Sequence, residues 1–412
     1  MPPSLDCIIG LPGVELQRAV DEDGVKVFAS CSLRPPCVHC GANRSRIKAS
    51  FDRELKHTRQ GNRLMLLVIR SHKFLCLACS RYFNLRIPGV LPRKRATESF
   101  RMEVYEKHHG GISQRFLSLT HGIGEATVER WYQDFTVYRV KELSGRCSPK
   151  ILGIDEHFFT KKDGYATTLC DLGKHKVYDV ILGRSEKSLE QPLERVPERF
   201  RTKVAVMDLS ETYRQIVKSN FPNALIVADR FHVIRLVNHH FLKAWQLLDS
   251  TGRKNRGLLS LMRRHEKNLK PEQRPKLQTY LESNPVLKEI YEFKQKLCAL
   301  LGTSSKRKDV LRPIVHDFLS MINQLRQTTL EPLKTLGDTL EKWKEEIGRM
   351  LRFSRSNGIT EGFHTRMEEL SRRAYGFRNF SNYRLRVLAH CGWDGVFTRV
   401  ETRQGSIPPL TE

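Results

Sequence analysis

From Pro149 onward, short apolar runs with few polar interruptions alternate with stretches of helical spacing. Runs at 151–159, 165–171 and 176–182, joined by Asp163-Gly164 and by a turn at Gly173, predict a three-stranded antiparallel meander. A mainly polar helical stretch near 186–196 follows, then a strand at 203–207, a helix at 210–218, a strand at 224–228 and a long helix from about 230. The predicted order is βββαβαβα. The segments 151–154, 204–207 and 224–228 are continuously apolar, as parallel strands buried on both faces require. Between 240 and 350 no strand-like run occurs. Leu-spaced, Lys- and Arg-rich segments punctuated by Pro271, Pro285, Pro313 and Pro332 predict an all-helical insertion there. The last section opens at Asn357-Gly358, runs as a helix through Glu361 to Arg373 and continues as a basic, aromatic stretch.

Upstream, residues 1 to about 90 mix strand-like stretches with cysteine pairs, and Pro88, Pro92 and Arg93-Lys94-Arg95 mark a boundary. Residues 97–143 have helical periodicity broken by Gly110-Gly111 and by His121-Gly122-Ile123-Gly124. The expected divisions are 1–92, 93–148, 149–239, 240–350 and 351–412. Repeats and low-complexity tracts are absent from the sequence.

Charge narrows the choice of partner. With 71 Lys and Arg against 45 Asp and Glu, the net charge is +26, so the field of the chain attracts polyanions and nucleic acid is the first expectation. A basic but merely soluble protein is the alternative that charge alone leaves open. Leu64–Ile69, the longest apolar run of the N-terminal part, is too short to span a bilayer, and the N-terminus lacks the basic-then-apolar pattern of a secretory signal. The expectation is a cytoplasmic, nucleoid-associated protein without disulfides or membrane contact.

Two motifs add chemistry. Cys37-Val-His-Cys40 and Cys76-Leu-Ala-Cys79 are paired Cys-x-x-Cys knuckles, the spacing that lets thiolates grip a tetrahedral Zn²⁺. The β-rich stretch between them predicts a zinc ribbon, with His39 and His72 as substitute ligands and buried or redox-active thiols as the alternative. The other six cysteines are unpaired in spacing and read as ordinary small side chains. Ile112–Leu119, the break at Gly122-Ile123-Gly124 and Glu125–Tyr132 predict a helix-turn-helix. Thr127, Arg130 and Gln133 would then face DNA while Val128 and Trp131 pack inward.

Acids close or follow the central apolar runs: Asp155, Asp208 and Asp229, with Glu361 far downstream on a helix. On the first strand Asp155 and Glu156 point to opposite faces, and Asp155 continues the buried run. Carboxylates gathered in one core repel one another unless cations neutralise them, and two Mg²⁺ ions bridging a phosphate need such oxygen ligands. Any single one of these acids could instead cap a strand at a turn.

These residues also carry a resemblance. The βββαβαβα order with acids on the first and fourth strands and a later helix resembles the RNase H-like core of DDE transposases. Gly-Ile-Asp155-Glu, Met-Asp208, Ala-Asp229-Arg-Phe-His232-Val-Ile, Asn-Gly-Ile-Thr-Glu361-Gly and Arg-Arg-Ala-Tyr-Gly-Phe-Arg-Asn-Phe at 372–380 closely resemble the ISL-three family of bacterial insertion sequences, across nearly the whole chain. The resemblance implies a multidomain α/β protein in which a zinc ribbon and a helix-turn-helix precede an RNase H-like core interrupted by the helical insertion. It implies Asp155, Asp208 and Glu361 as catalytic ligands of two Mg²⁺ ions, or Mn²⁺, with Asp229 and His232 as a supporting pair. His364 is a departure, since many relatives carry Asn three residues after the glutamate. Arg372 and Arg373, in the basic aromatic stretch, are expected to clamp DNA, although the neighbouring aromatics equally suit core packing. The implied activity is binding of terminal inverted repeats, metal-dependent 3′-end cleavage and strand transfer by a dimer or higher oligomer on double-stranded DNA. A catalytically silent, domesticated transposase acting as a regulator, and a stand-alone RNase H-like nuclease, are the alternatives.

Overall fold

A computed structural model describes residues 9–22, 24–143, 147–305, 307–353 and 358–392. The chain divides into two compact units, one up to Arg139 and one from Val140. No helix among the described residues is long and apolar enough to cross a membrane.

The first unit is built on strands β1 (Val14–Glu22), β2 (Gly24–Cys31), β3 (Ser45–Gln60), β4 (Arg63–Cys76) and β5 (Tyr82–Asn84), in the order β1-β2-β4-β3 with β5 also paired to β4. The long β3–β4 hairpin turns at Gly61, whose φ of 60° suits a residue without Cβ. Alternation along β4 sends Met65, Leu67 and Ile69 to one face, where they meet Val27, Ala29 and Leu55 in a core. Three helices follow, Glu98–His109, Gln114–His121 and Glu125–Leu143. Thr97 and Ser113 cap the first two by accepting from the N–H groups of Phe100 and Phe116, and Gly122 ends the second in the left-handed region. Phe100, Val104, Leu117, Val128 and Trp131 form their core.

The second unit has strands β6 (Ile151–Thr160), β7 (Gly164–Asp171), β8 (Lys176–Leu182), β9 (Val204–Met207) and β10 (Leu225–Ala228), ordered β10-β9-β6-β7-β8. β6, β7 and β8 form an antiparallel meander, while β9 and β10 run parallel to β6. The strands lie within a few residues of the apolar runs, and all four residues of β9 are buried. Helices Glu186–Glu194 and Glu211–Asn220 make the crossovers. From the helix Arg230–Leu248 to the helix Lys344–Arg352 the described chain is helical and without strands. Pro285 starts one of these helices and Pro332 lies in the first turn of another, where a missing N–H costs nothing.

Helices Gly358–Arg373 and Phe380–Cys391 complete the unit. The second lies in the stretch read from sequence only as basic and aromatic. Asn379 caps it, Tyr383, Val387 and Leu388 bury one face, and Arg384 pairs with Asp179 of β8 at 2.6 Å. The C-terminal tail beyond Gly392 and the Asn357 start signal lie outside the described residues.

Candidate functional site

Register brings three of the acids to one place. Ile154 of β6 is aligned with Met207 of β9, and Met207 with Ala228 of β10. The next residue on each strand is an acid, so Asp155, Asp208 and Asp229 stand side by side at one edge of the parallel strands. Asp155 and Asp229 are buried and Asp208 half-buried. Burial pushes the Asp155 carboxyl up to about 6 against the opposing pull of His232, with the charges of Asp208 and Asp229 adding to the rise. Asp208 is raised by burial and then by its acidic neighbours Glu156 and Asp229. Its Oδ1 is buried with no hydrogen-bond partner. A divalent cation would relieve both a buried, unmatched carboxylate oxygen and a neighbouring carboxyl that resists ionisation.

Asp229 does a different job. It caps the helix Arg230–Leu248, accepting from the His232 N–H at 3.3 Å and meeting His232 Nδ1 at 2.8 Å. That hydrogen bond raises the His232 pKa, with the nearby carboxyls of Asp155, Asp229 and Asp208 adding to the rise. The Asp-x-x-His spacing is the distance from a helix cap to its third residue, the geometry that lets one carboxylate serve both groups. Glu156 pairs with Arg184 at 3.2 Å.

Glu361 is exposed on the first turn of Gly358–Arg373. One turn later, His364 reaches the acids, with Nδ1 3.9 Å from Asp155 Oδ2 and Nε2 hydrogen-bonded to Thr168 Oγ1 at 3.1 Å. Thr168 is the cross-strand partner of Asp155. It also meets His157 Nδ1 at 2.9 Å, and His157 Nε2 meets Tyr383 Oη at 2.8 Å. A continuous polar chain therefore runs from Asp155 through His364, Thr168 and His157 to Tyr383. Burial pushes His364 down to about 4 and His157 down to about 3, so both rings are neutral at physiological pH. Sequence reasoning missed His157, Thr168 and Tyr383. His157 was readable as the residue two beyond Asp155 on the same strand face, whereas Thr168 depends on register.

In the first unit, the sulfurs of Cys37, Cys40, Cys76 and Cys79 lie within 4.8 Å of one another. Cys37–Cys79 and Cys40–Cys76 are 3.7 and 3.6 Å apart, close to the roughly 3.8 Å edge of a tetrahedron with Zn–S bonds of about 2.3 Å. The Cys79 N–H points at Cys76 and helps hold its thiol down to about 6, favouring the ligand form. His39 instead meets the Tyr82 carbonyl and His72 meets Ser50. Val128 and Trp131 are buried in the helical core, Arg130 is exposed, and Thr127 and Gln133 are half-buried. Arg372 and Arg373 are exposed and pair with Glu368 and Glu369 one helical turn earlier, each at 2.6 Å.

A family model described as a transposase, that of the DDE enzymes of ISL-three elements, matches residues 152–387, more than half of the chain. The chain belongs to this transposase family. The segment shared with the ISL-three transposases starts in β6 and ends in the helix Phe380–Cys391, and so contains Asp155, Asp208, Asp229, His232, Glu361 and His364. Over 250 residues, 58% of the chain, it is 25% identical to the transposase for insertion sequence element IS1001 of Bordetella parapertussis and spans 60% of that protein's length. A stretch covering 18% of the chain is 33% identical to 25% of an ATP-dependent protease of Lactococcus lactis subsp. lactis.

Proposed function

We propose that this chain moves its insertion sequence by binding the terminal inverted repeats, cleaving the 3′ ends and joining them to target DNA. The alignment of Asp155 on β6 with Asp208 just beyond the end of β9, with Asp208 Oδ1 unmatched, is the observation that carries this reading. The β10-β9-β6-β7-β8 sheet is then an RNase H-like core, interrupted between Arg230 and Arg352 by the helical insertion. Asp155, Asp208 and Glu361 are the residues that would hold two Mg²⁺ or Mn²⁺ ions, and the four cysteines would hold Zn²⁺. Bound there, the divalent ions supply Lewis acidity that activates the attacking oxygen and offsets charge on the phosphate.

The protein's own residues prepare that site. His232, oriented by Asp229, faces Asp155 and Asp208 and opposes the rise of both carboxyls. His364 ties the helix of Glu361 to Thr168, the cross-strand partner of Asp155, and Glu361 lies one helical turn from His364. In the first step water attacks the phosphorus at the element end and a P–O bond breaks to leave a 3′-hydroxyl. In the second step that hydroxyl attacks a target phosphorus and the target's own 3′-oxygen departs. No covalent protein intermediate is required. The ribbon and helix-turn-helix serve recognition, and joining two ends in concert calls for a dimer or higher assembly.

The test is cleavage and joining of end-containing DNA in Mg²⁺. Asp155→Ala, Asp208→Ala and Glu361→Ala should each lose roughly 10²–10³-fold or more of both steps while still binding DNA. Unchanged activity in all three variants would overturn the assignment.

A further inference from the structure

Beside Asp208, at the end of β9, lies a groove of about 750 Å³. One wall is the helix Arg230–Leu248, which contributes Phe231, Arg235 and His239. These residues are spaced four apart, so they form one stripe along the helix, and all three are exposed. Phe231 leaves 47% of its surface open in a position where a core aromatic would be covered. Arg263, on a neighbouring helix of the insertion, also lines the groove.

The charge of Arg235 acts on the Asp208 carboxyl and opposes the rise that burial imposes there. Among the described residues neither Arg235 nor Arg263 is ion-paired, whereas Arg307, Arg326, Arg372 and Arg373 at the surface of the same unit each have a carboxylate partner. Asn238, also on the wall, has a buried Oδ1 without a hydrogen-bond partner, as has Asp208. An open aromatic ring and two guanidiniums without a salt-bridge carboxylate are complementary to a base face and to phosphates respectively. The volume falls in the roughly 300–1,000 Å³ range that encloses one small ligand, enough for a nucleotide or two but not for a turn of duplex.

We infer that this groove seats an unpaired stretch of the DNA strand whose reacting phosphate lies at Asp208, with a base against Phe231 and the backbone between Arg235 and Arg263. The inference rests on the transposase reading for the identity of the strand. It adds that the strand must leave its complement before Asp208 can engage it. The helical insertion is then a strand-holding device placed directly after the acid edge.

The experiment measures affinity in EDTA, so that no chemistry occurs, for one duplex made either blunt or with a short unpaired 3′ strand. Wild type should prefer the unpaired form by about tenfold, within the range expected for stacking one base on an aromatic ring. Phe231→Ala and the double variant Arg235→Ala, Arg263→Ala should bring the ratio close to one with blunt-duplex affinity retained, and Phe231→Trp should keep it. Equal affinity for both DNAs in wild type, or a preference that persists in the variants, would overturn the inference. Asp208→Asn separates the two claims. It should retain the preference while losing cleavage, and if it cleaves normally the active-site reading fails while the groove stands.

Discussion

Asp155 carries an electrostatic conflict in the second unit. Its carboxyl rises from an ordinary 3.8 to about 6 because burial and two neighbouring carboxylates outweigh His232. The folded chain therefore holds this proton more tightly than the unfolded chain does. Its stabilising contribution is complete below the ordinary value and is lost as pH rises through about 6, a cost on the order of 3 kcal/mol at neutral pH. Cation binding requires the ionised form and removes the conflict, so metal should stabilise the protein more at high pH than at low. Thermal unfolding with and without Mg²⁺ should show a metal-induced gain that is small near pH 5 and several degrees near pH 8. Asp155→Asn should flatten both dependences and raise the melting point of the metal-free protein at neutral pH. A gain of equal size at both pH values, or one preserved in Asp155→Asn, would refute this account.

At the scale of elements, the helices Gly358–Arg373 and Phe380–Cys391 are fastened to the meander by buried polar groups. Tyr383, His157, Thr168 and His364 make three hydrogen bonds of 2.8–3.1 Å that end at His364, whose Nδ1 lies 3.9 Å from Asp155. Buried networks of this kind fix geometry, because each member left unpaired costs more than the bond is worth. His364→Ala should therefore lower the cleavage rate about 10–100-fold with DNA affinity unchanged, because it loosens the helix of Glu361 without touching the DNA-binding elements. Gln at 364 should restore part of the rate and Tyr383→Phe should be milder. A His364→Ala variant that loses DNA affinity in proportion to rate would indicate unfolding instead of misplacement. These elements were unequally legible in the sequence. The strands β6, β9 and β10 were plain because strands buried on both faces must be apolar throughout, and the acids beyond them interrupt that rule. The helix Phe380–Cys391 was obscured because Phe377, Phe380 and Tyr383 suit a nucleic-acid surface and a core equally well. Only the register of β6 on β7 shows that Thr168 faces Asp155 and that Tyr383 belongs to the interior.

For the whole molecule, a net charge of +26 would make the proposed affinity for DNA strongly dependent on salt, but the total charge would overstate the number of phosphates engaged. What counts is cations without a carboxylate partner. Arg130 is exposed on the helix Glu125–Leu143, proposed above to read DNA, and its guanidinium donates to the Thr127 hydroxyl at 3.5 Å. Arg372 and Arg373 are offset by Glu368 and Glu369, so each would have to break an ion pair before releasing counterions from DNA. Such exposed pairs are worth only ~0.5 kcal/mol, yet they leave less free charge in the ground state. Each phosphate neutralised contributes about 0.9 to the slope of log affinity against log salt. Arg130→Ala should thus reduce that slope by about one unit, and Arg372→Ala by distinctly less. Fluorescence anisotropy of labelled duplex across a salt series reads both. A slope unchanged in Arg130→Ala, or a larger loss in Arg372→Ala, would place the phosphate contacts on the catalytic unit instead of the helix-turn-helix.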